Sequence, residues 1–396
     1  MHHSSSRQYA LKNLAPDSRK NMQRITRKFR IVELYAGTAR SIDPFRAWQR
    51  GEIALMIDSN SLARKTYLAN FPGAPYLNRS LTTMQPKEII SAAGGRMDVL
   101  LGCPPCQGFS ESGKRDPLDP RNMHMSRFAR VIEDARPKAV ALENVPLAAA
   151  SPQYQDLVSM LDRTGYRWKA MLGNAIQYGS CQSRQRLILV AFRKDVGVTP
   201  KFPKPTHGSG ERVFSYSSRS FRSVERHLTE MLGMAPSTQR LARKDLLDWT
   251  DKLGVRPAST VWDCIGDLQD IASKEAALLH HTAWNHSTPI LRRMGQIDEG
   301  AKWSGSADHF AHSYGRLHRR GFSRTITGYF PYAGCGRYWH PLENRALTLR
   351  EAARIQGFPD SFAFLDQSRA SAKLVGNALD FQFASMCYKM IRAALE

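Results

Sequence analysis

Three short stretches of this chain place reactive side chains at the ends of apolar runs. In GCPPCQGFS, residues 102–110, Cys106 follows the run MDVLL. A thiol on the loop leaving a strand is well presented to a bound electrophile and suited to a transient covalent bond. In ENV, residues 143–145, Glu143 closes KAVALENV, an apolar setting in which a carboxyl can hold or deliver a proton. An acid serving only to pair with an arginine is the competing reading, and for Glu143 taken alone it is the stronger one. In QSRQR, residues 182–186, Arg184 and Arg186 sit at alternate positions where RLILVAF begins. Alternate residues of a strand share a side, so both are expected to converge on one anionic or carbonyl-bearing ligand. Cys103 and Cys106 also make a C-x-x-C, but no second Cys pair or nearby His pair completes a zinc site, and the motif alone is weak ground for redox chemistry.

A fourth stretch, VELYAGTARS at 32–41, reads as a strand entering a glycine-containing turn. Asp58 follows Gly37 by 21 residues at the end of the next strand, a spacing that suits an acid binding ribose hydroxyls. The glycine signal itself is weak, because Thr38, Ala39 and Arg40 follow Gly37 and no G-x-G forms.

These residues need a scaffold. FRIVELYAG, EIALMID, MDVLLGC, KAVALENV and QRLILVAF read as buried strands; SNSLARKTYLANF, PKEIISAAG, SRFARVIEDARP and SPQYQDLVSMLDRTG read as helices between them. Strand alternating with helix predicts an α/β fold: a mostly parallel sheet with helices on both faces. Ligands of such sheets bind beyond the carboxyl ends of the strands, where every motif above falls. After Arg193 the alternation stops, and short strands such as RTITGYF are expected in an irregular second domain. Predicted boundaries are a basic arm at 1–28, a catalytic and cofactor-binding domain at 29–193 and 371–396, a smaller target-recognition domain at 194–345 and a hinge at 346–370. The helical pattern near the C-terminus is expected to return to the first domain.

The 396 residues carry 57 Lys+Arg against 35 Asp+Glu, a net +22, which favours a polyanionic partner. No apolar run approaches the roughly 20 residues that span a bilayer, and MHHSSSRQYALKN lacks the apolar core of a secretory signal, so a cytoplasmic, nucleoid-associated protein with no membrane partner is expected. Six scattered cysteines are not the disulfide framework of a small secreted domain. The stretch HHTAWNH at 280–286 is expected to be hydrogen-bonded or solvated, and no metal is expected.

Taken in order, LYAG, PPCQGFS, ENV, QSRQR, RALTLREAARIQGFPDSF and VGNAL resemble the sequence blocks of the DNA cytosine-5 methyltransferase family, bacterial or phage type. SYGRLHRRGFSRTITGYFPYAGCGRYWHP is similar to the segment preceding the last two blocks, so the resemblance spans about 29–193 and 312–380. It implies a Rossmann-like fold that uses S-adenosyl-L-methionine and releases S-adenosyl-L-homocysteine, with no metal. Cys106 would add to C6 of a cytosine flipped out of double-stranded DNA, Glu143 would hold N3, and Arg184 and Arg186 would hold the base carbonyl and its neighbours. Tyr35, Gly37, Asp58, Ser80, Pro105, Gly376 and Asn377 would line the cofactor, and GFSESGKRDPLDPRN would close over the base. Departures from the family pattern stand at Ala39 and Arg40, where glycines are usual, at Ser80, where an acid is usual, and at Leu379-Asp380, where a proline-type turn is usual. Arg40 could crowd the cofactor, point away or contact its carboxylate. Arg345, Arg350 and Arg354 are expected to make ion pairs. The alternatives are a catalytically silent DNA-binding relative and a tRNA cytosine-5 methyltransferase. A monomer is the expected state, with a companion restriction endonuclease as a candidate partner.

Overall fold

The computed structural model describes residues 27–105, 123–208, 214–216, 256–268, 279–303 and 314–396. An eight-stranded sheet is built from β1 (Phe29–Leu34), β2 (Gly51–Asp58), β3 (Tyr76–Asn78), β4 (Val99–Gly102), β5 (Ala139–Asn144), β6 (Tyr166–Asn174), β7 (Gln185–Arg193) and β8 (Phe214–Tyr216). Their order across the sheet is β8-β6-β7-β5-β4-β1-β2-β3. β1 to β5 run parallel, and β7, β6 and β8 complete the sheet through antiparallel pairings. β6 is a nine-residue strand that its sequence hides: YRWKAMLGN alternates only at its start and carries Arg167 and Lys169.

Strand periodicity explains the two cores. Successive side chains point to opposite faces. Val32, Leu34, Leu100, Val140, Leu187 and Leu189 therefore face one way, against α2 (Pro86–Ala92), α3 (Met123–Ala135) and α4 (Pro152–Arg163), the helices that follow α1 (Ser61–Asn70). Ile31, Val99, Leu101, Ile188 and Val190 face the other way. A third cluster lies under α5 (Val261–Ile265), in the stretch that also carries α6 (Thr288–Gly295), and reaches α7 (Leu349–Ile355) and α8 (Arg369–Asn377). The C-terminal helix α9 (Phe381–Leu395) covers the second face of the sheet through Phe383, Met386, Cys387 and Ile391. Of RTITGYF only Arg324 is in a strand, the two-residue Ser323–Arg324, which pairs with Gln182–Ser183. Cys181 and Cys264 form a disulfide between the segment before QSRQR and α5, a pairing that their scattered spacing did not suggest. Among the described residues, no helix is long and apolar enough to cross a membrane.

The arginines of the 345–354 stretch divide. Arg345 grips Glu351 with two bonds of 2.7 Å and Glu343 with two of 2.9 Å. Arg354 pairs with Asp267 and Asp360. Among the described residues Arg350 makes no ion pair: its buried guanidinium donates to the carbonyls of Leu279, Pro359 and Phe362. Burial would raise the Glu351 pKa, but the Arg345 bonds outweigh it and hold the carboxyl below its usual range. Removing one partner of such a pair strands the other charge, so Glu351→Ala is expected to cost about 3–5 kcal/mol in urea unfolding. The folded-state pKa is depressed, so this contribution is complete above the unfolded carboxyl's range of about 4 and fades as pH falls below it. Equal stability of variant and wild type at neutral pH would contradict this. The histidines of HHTAWNH are held by hydrogen bonds: His281 to Thr348 and Leu268 O, His286 to Pro331 O, and His280 Nε2 accepting from the Phe364 amide.

Candidate active site

The loops leaving β1, β2, β3, β4 and β5 meet along one edge, with the start of β7 beside them. After β1 the chain turns sharply, with positive φ at Tyr35 (58°), Gly37 (52°) and Ala39 (55°). The Gly37 amide donates to Asp58 Oδ2 at 2.8 Å, and Asp58 Oδ1 accepts from the Asn60 amide, also at 2.8 Å. The Tyr76 hydroxyl donates to Gly37 O at 2.7 Å. Tyr35 donates to His124 O at the start of α3, closing one wall of the turn. No atom of the described residues lies within 4 Å of where a β-carbon of Gly37 would stand. A backbone cradle with an open glycine and a fixed carboxylate at the next strand end fits a nucleoside-bearing cofactor. Ser80 caps the short turn after β3 through the Thr82 amide.

Arg40 resolves one departure from the family pattern. Its side chain turns away from the cradle, pairs with Asp43, donates to Gly357 O and lies between the rings of Phe358 and Phe381 at 4.7 and 4.8 Å. It therefore ties the turn to the IQGFP segment. Ala39 accepts a left-handed backbone at a strain of roughly 1–2 kcal/mol.

Cys106 lies outside the described residues. The chain reaches it through Pro104 and the half-buried Pro105, and Asn144 Nδ2 holds Pro104 O at 3.2 Å. Asn144 is thus a support that the sequence showed only as the middle of ENV. Beside it, Glu143 is paired with Arg186 at 2.7 Å, each side chain only 13% exposed. Cys103 lines the same small cavity as Glu143, Ser41, Leu379 and Cys387. Burial, reinforced by Glu143 and Glu33, pushes the Cys103 thiol well above the usual range. Of the two cysteines of CPPC, Cys103 is thus held as a thiol and is a poor nucleophile. Glu33, inside β1, is a further residue that sequence reading passed over. Burial first, then Asp43 and Asp58, raises its carboxyl, and Ser41 is hydrogen-bonded to it.

Arg184 and Arg186 do not converge. The two-residue strand at Gln182–Ser183 and β7 are separated at Arg184, which breaks the alternation that would put both arginines on one side. Arg186 goes to Glu143, whereas Arg184 donates to the carbonyls of Ile326, Gly376 and Ala378. Arg184 therefore anchors the C-terminal segment. Gly376 serves the same junction: a β-carbon there would lie 2.1 Å from the Gly328 nitrogen, so only glycine lets α8 approach that loop. Asn377 is exposed at the end of α8. Asp380, in the departure Leu379-Asp380, caps α9 through the Gln382 amide and receives Ser180 at 2.8 Å and Gln182 at 3.0 Å.

The profile of the C-5 cytosine-specific DNA methylase family matches residues 29–392. The Type II methyltransferase M1.HphI of Haemophilus parahaemolyticus is 30% identical over 328 residues, covering 79% of this chain and 73% of that protein. M.DdeI of Desulfomicrobium norvegicum, also a Type II methyltransferase, is 27% identical over 357 residues, 84% of this chain and 79% of its own length. In fold, a prophage-encoded protein of E. coli superposes with a TM-score of 0.62 at 20% identity, covering 93% of this chain and 99% of its own.

Proposed function

Because this chain belongs to the C-5 cytosine-specific DNA methylase family and is a DNA (cytosine-5) methyltransferase, we propose how its own residues carry the reaction. Cys106 adds to C6 of the target cytosine. Glu143, oriented by Arg186, holds N3 and relieves the charge that addition builds in the ring. C5 becomes nucleophilic and accepts the methyl group, and loss of the C5 proton expels Cys106. S-adenosylmethionine, when bound, supplies the electrophilic methyl through its sulfonium. Tyr35 and Gly37 line its site, Asp58 takes the ribose hydroxyls, and Ser80, Pro105 and Asn377 border it. The observation that carries this assignment is the Glu143–Arg186 pair at 2.7 Å beside the supported Pro104–Pro105 end of β4.

The target base must leave the stack to reach such a recessed pair. We assign catalysis to 29–193 and 371–396, target recognition to 194–345 and a hinge to 346–370. The enzyme acts as a cytoplasmic monomer on a short duplex sequence, with a restriction endonuclease as candidate companion. The turn at Ala39-Arg40 gives no support to a silent relative, since Arg40 packs away from the cradle.

The test is methyl transfer from labelled S-adenosylmethionine to mixed-sequence duplex DNA, with 5-methylcytosine mapped by sequencing and tRNA as a parallel substrate. Label within one short DNA motif is expected. Label on tRNA alone would replace the substrate, and no label with tight DNA binding would favour the silent relative. Binding is also expected to weaken steeply with salt, given the net +22. A loss on the order of 10³-fold between about 50 and 200 mM corresponds to several neutralised phosphates, and a flat titration would exclude phosphate contacts as the main source of affinity.

A further inference from the structure

We propose that Arg40 is a positioning residue for the cofactor: its side chain, anchored where the IQGFP segment meets α9, holds Ala39 in the left-handed conformation on which the cradle depends. The proposal rests on the cofactor assignment above and deepens it, since Arg40 is not among the residues that line the site.

The turn after β1 is pinned near its start, where the Gly37 amide donates to Asp58 and the Gly37 carbonyl accepts from Tyr76. Only Thr38 and Ala39 separate that point from Arg40, and both are buried. Ala39 has a φ of 55°, and its amide donates back to Ala36 O at 2.6 Å. Glycine adopts such a conformation freely, whereas the β-carbon of alanine opposes it. A chain that carries alanine there needs a second contact to hold the turn.

The Arg40 side chain makes that contact. Its guanidinium pairs with Asp43, donates to Gly357 O and lies between the rings of Phe358 and Phe381. Planarity lets it stack on both rings while its in-plane donors reach the two oxygens. The walls of this slot are themselves fixed. Phe358 packs on Phe362 and Phe364, with ring centroids 4.9 and 5.4 Å away. Phe381 opens α9, whose cap Asp380 accepts from Ser180 and Gln182. Residues 38–40 therefore cannot relax towards a right-handed path without drawing a buried charge out of its slot. A relaxed turn would displace Gly37 and Tyr35, which line the cofactor. The departures from glycine at 39 and 40 thus form one device: the alanine introduces strain, and the arginine opposes its release.

The test is calorimetric titration of S-adenosylhomocysteine into the full chain, with thermal unfolding of each variant. Arg40→Met and Arg40→Lys are each made in the wild-type and the Ala39→Gly backgrounds. Arg40→Met keeps an apolar stem between the rings but loses the charge and the donors. It is expected to bind about tenfold more weakly, a fold-change worth about 1.4 kcal/mol and of the size of the left-handed cost of alanine. Arg40→Lys, lacking the planar fork, should fall between. In the Ala39→Gly background the methionine substitution should leave affinity within about threefold, because glycine needs no holding. An arginine of structural value alone would lower the unfolding temperature and leave the affinity of the folded molecules unchanged, and that result would overturn the proposal. Equal losses of affinity in both backgrounds would overturn it too, since Arg40 would then not act through Ala39. If Arg40→Met does not fold, Arg40→Lys in the two backgrounds decides by the same comparison. A wild-type chain that does not bind S-adenosylhomocysteine would overturn the cofactor assignment itself, and this proposal with it.

Discussion

Cys106→Ala is expected to lower methyl transfer by at least about 10⁴-fold while leaving duplex binding and its salt dependence unchanged. The size of the loss follows from the chemistry. C5 of cytosine is a weak nucleophile until a group adds at C6. Cys103 is the nearest thiol in sequence, but burial and the Glu143 carboxylate keep it protonated. Phosphate contacts do not involve the thiol, so affinity should survive. The measurement is single-turnover methyl transfer beside anisotropy titration with the same duplex. Turnover within tenfold of wild type would sink covalent catalysis by Cys106. Turnover lost together with binding and unfolding temperature would point to a folding role, and Cys106→Ser, which keeps the side chain's size, would then be the deciding variant.

Glu143→Gln is expected to reduce turnover by roughly 10²–10⁴-fold, the range for losing a positioned acid–base group. It also separates the two readings of this carboxyl. Glu143 is ion-paired with Arg186 at 2.7 Å, which an acid of purely structural value would equally require. If pairing is its whole role, glutamine should mainly destabilise the fold, and turnover per folded molecule should stay near wild type. If Glu143 holds N3, turnover should fall even where the variant is fully folded, because an amide cannot supply the same charge or proton. Arg186→Lys provides the control: it keeps a cation but loses the planar fork, and a smaller, intermediate loss is expected. A folded Glu143→Gln enzyme with turnover within tenfold of wild type would return Glu143 to a structural role.

Much of the scaffold is legible along the chain because strand and helix periodicities are local. The apolar runs ending at Leu34, Asp58, Gly102 and Asn144 are β1, β2, β4 and β5, and the helical stretches between and just after them are α1 to α4. β6 escaped because its alternation covers only its first residues. The pairing of Arg184 with Arg186 failed for a related reason: strand parity holds only where the strand is continuous, and here it breaks at Arg184. The sequence offers Gly376 as a cofactor contact but not a second demand for glycine there: a β-carbon would meet the Thr327–Gly328 backbone, nearly fifty residues away in sequence.

What the sequence determines by itself is thus five strands of the sheet, the helices beside them and the residue types gathered at the strand ends, since each follows from patterns a few residues long and from the order of the blocks. What only the tertiary structure decides is which partner each polar group takes. Arg40 lies between Phe358 and Phe381, Asn144 reaches back to Pro104, Cys103 touches Glu143, and Arg350 serves three carbonyls in place of an acid. A buried guanidinium, amide or thiol is satisfied by whatever acceptor folding brings within about 3 Å, and distances across the fold are not written in spacing along the chain.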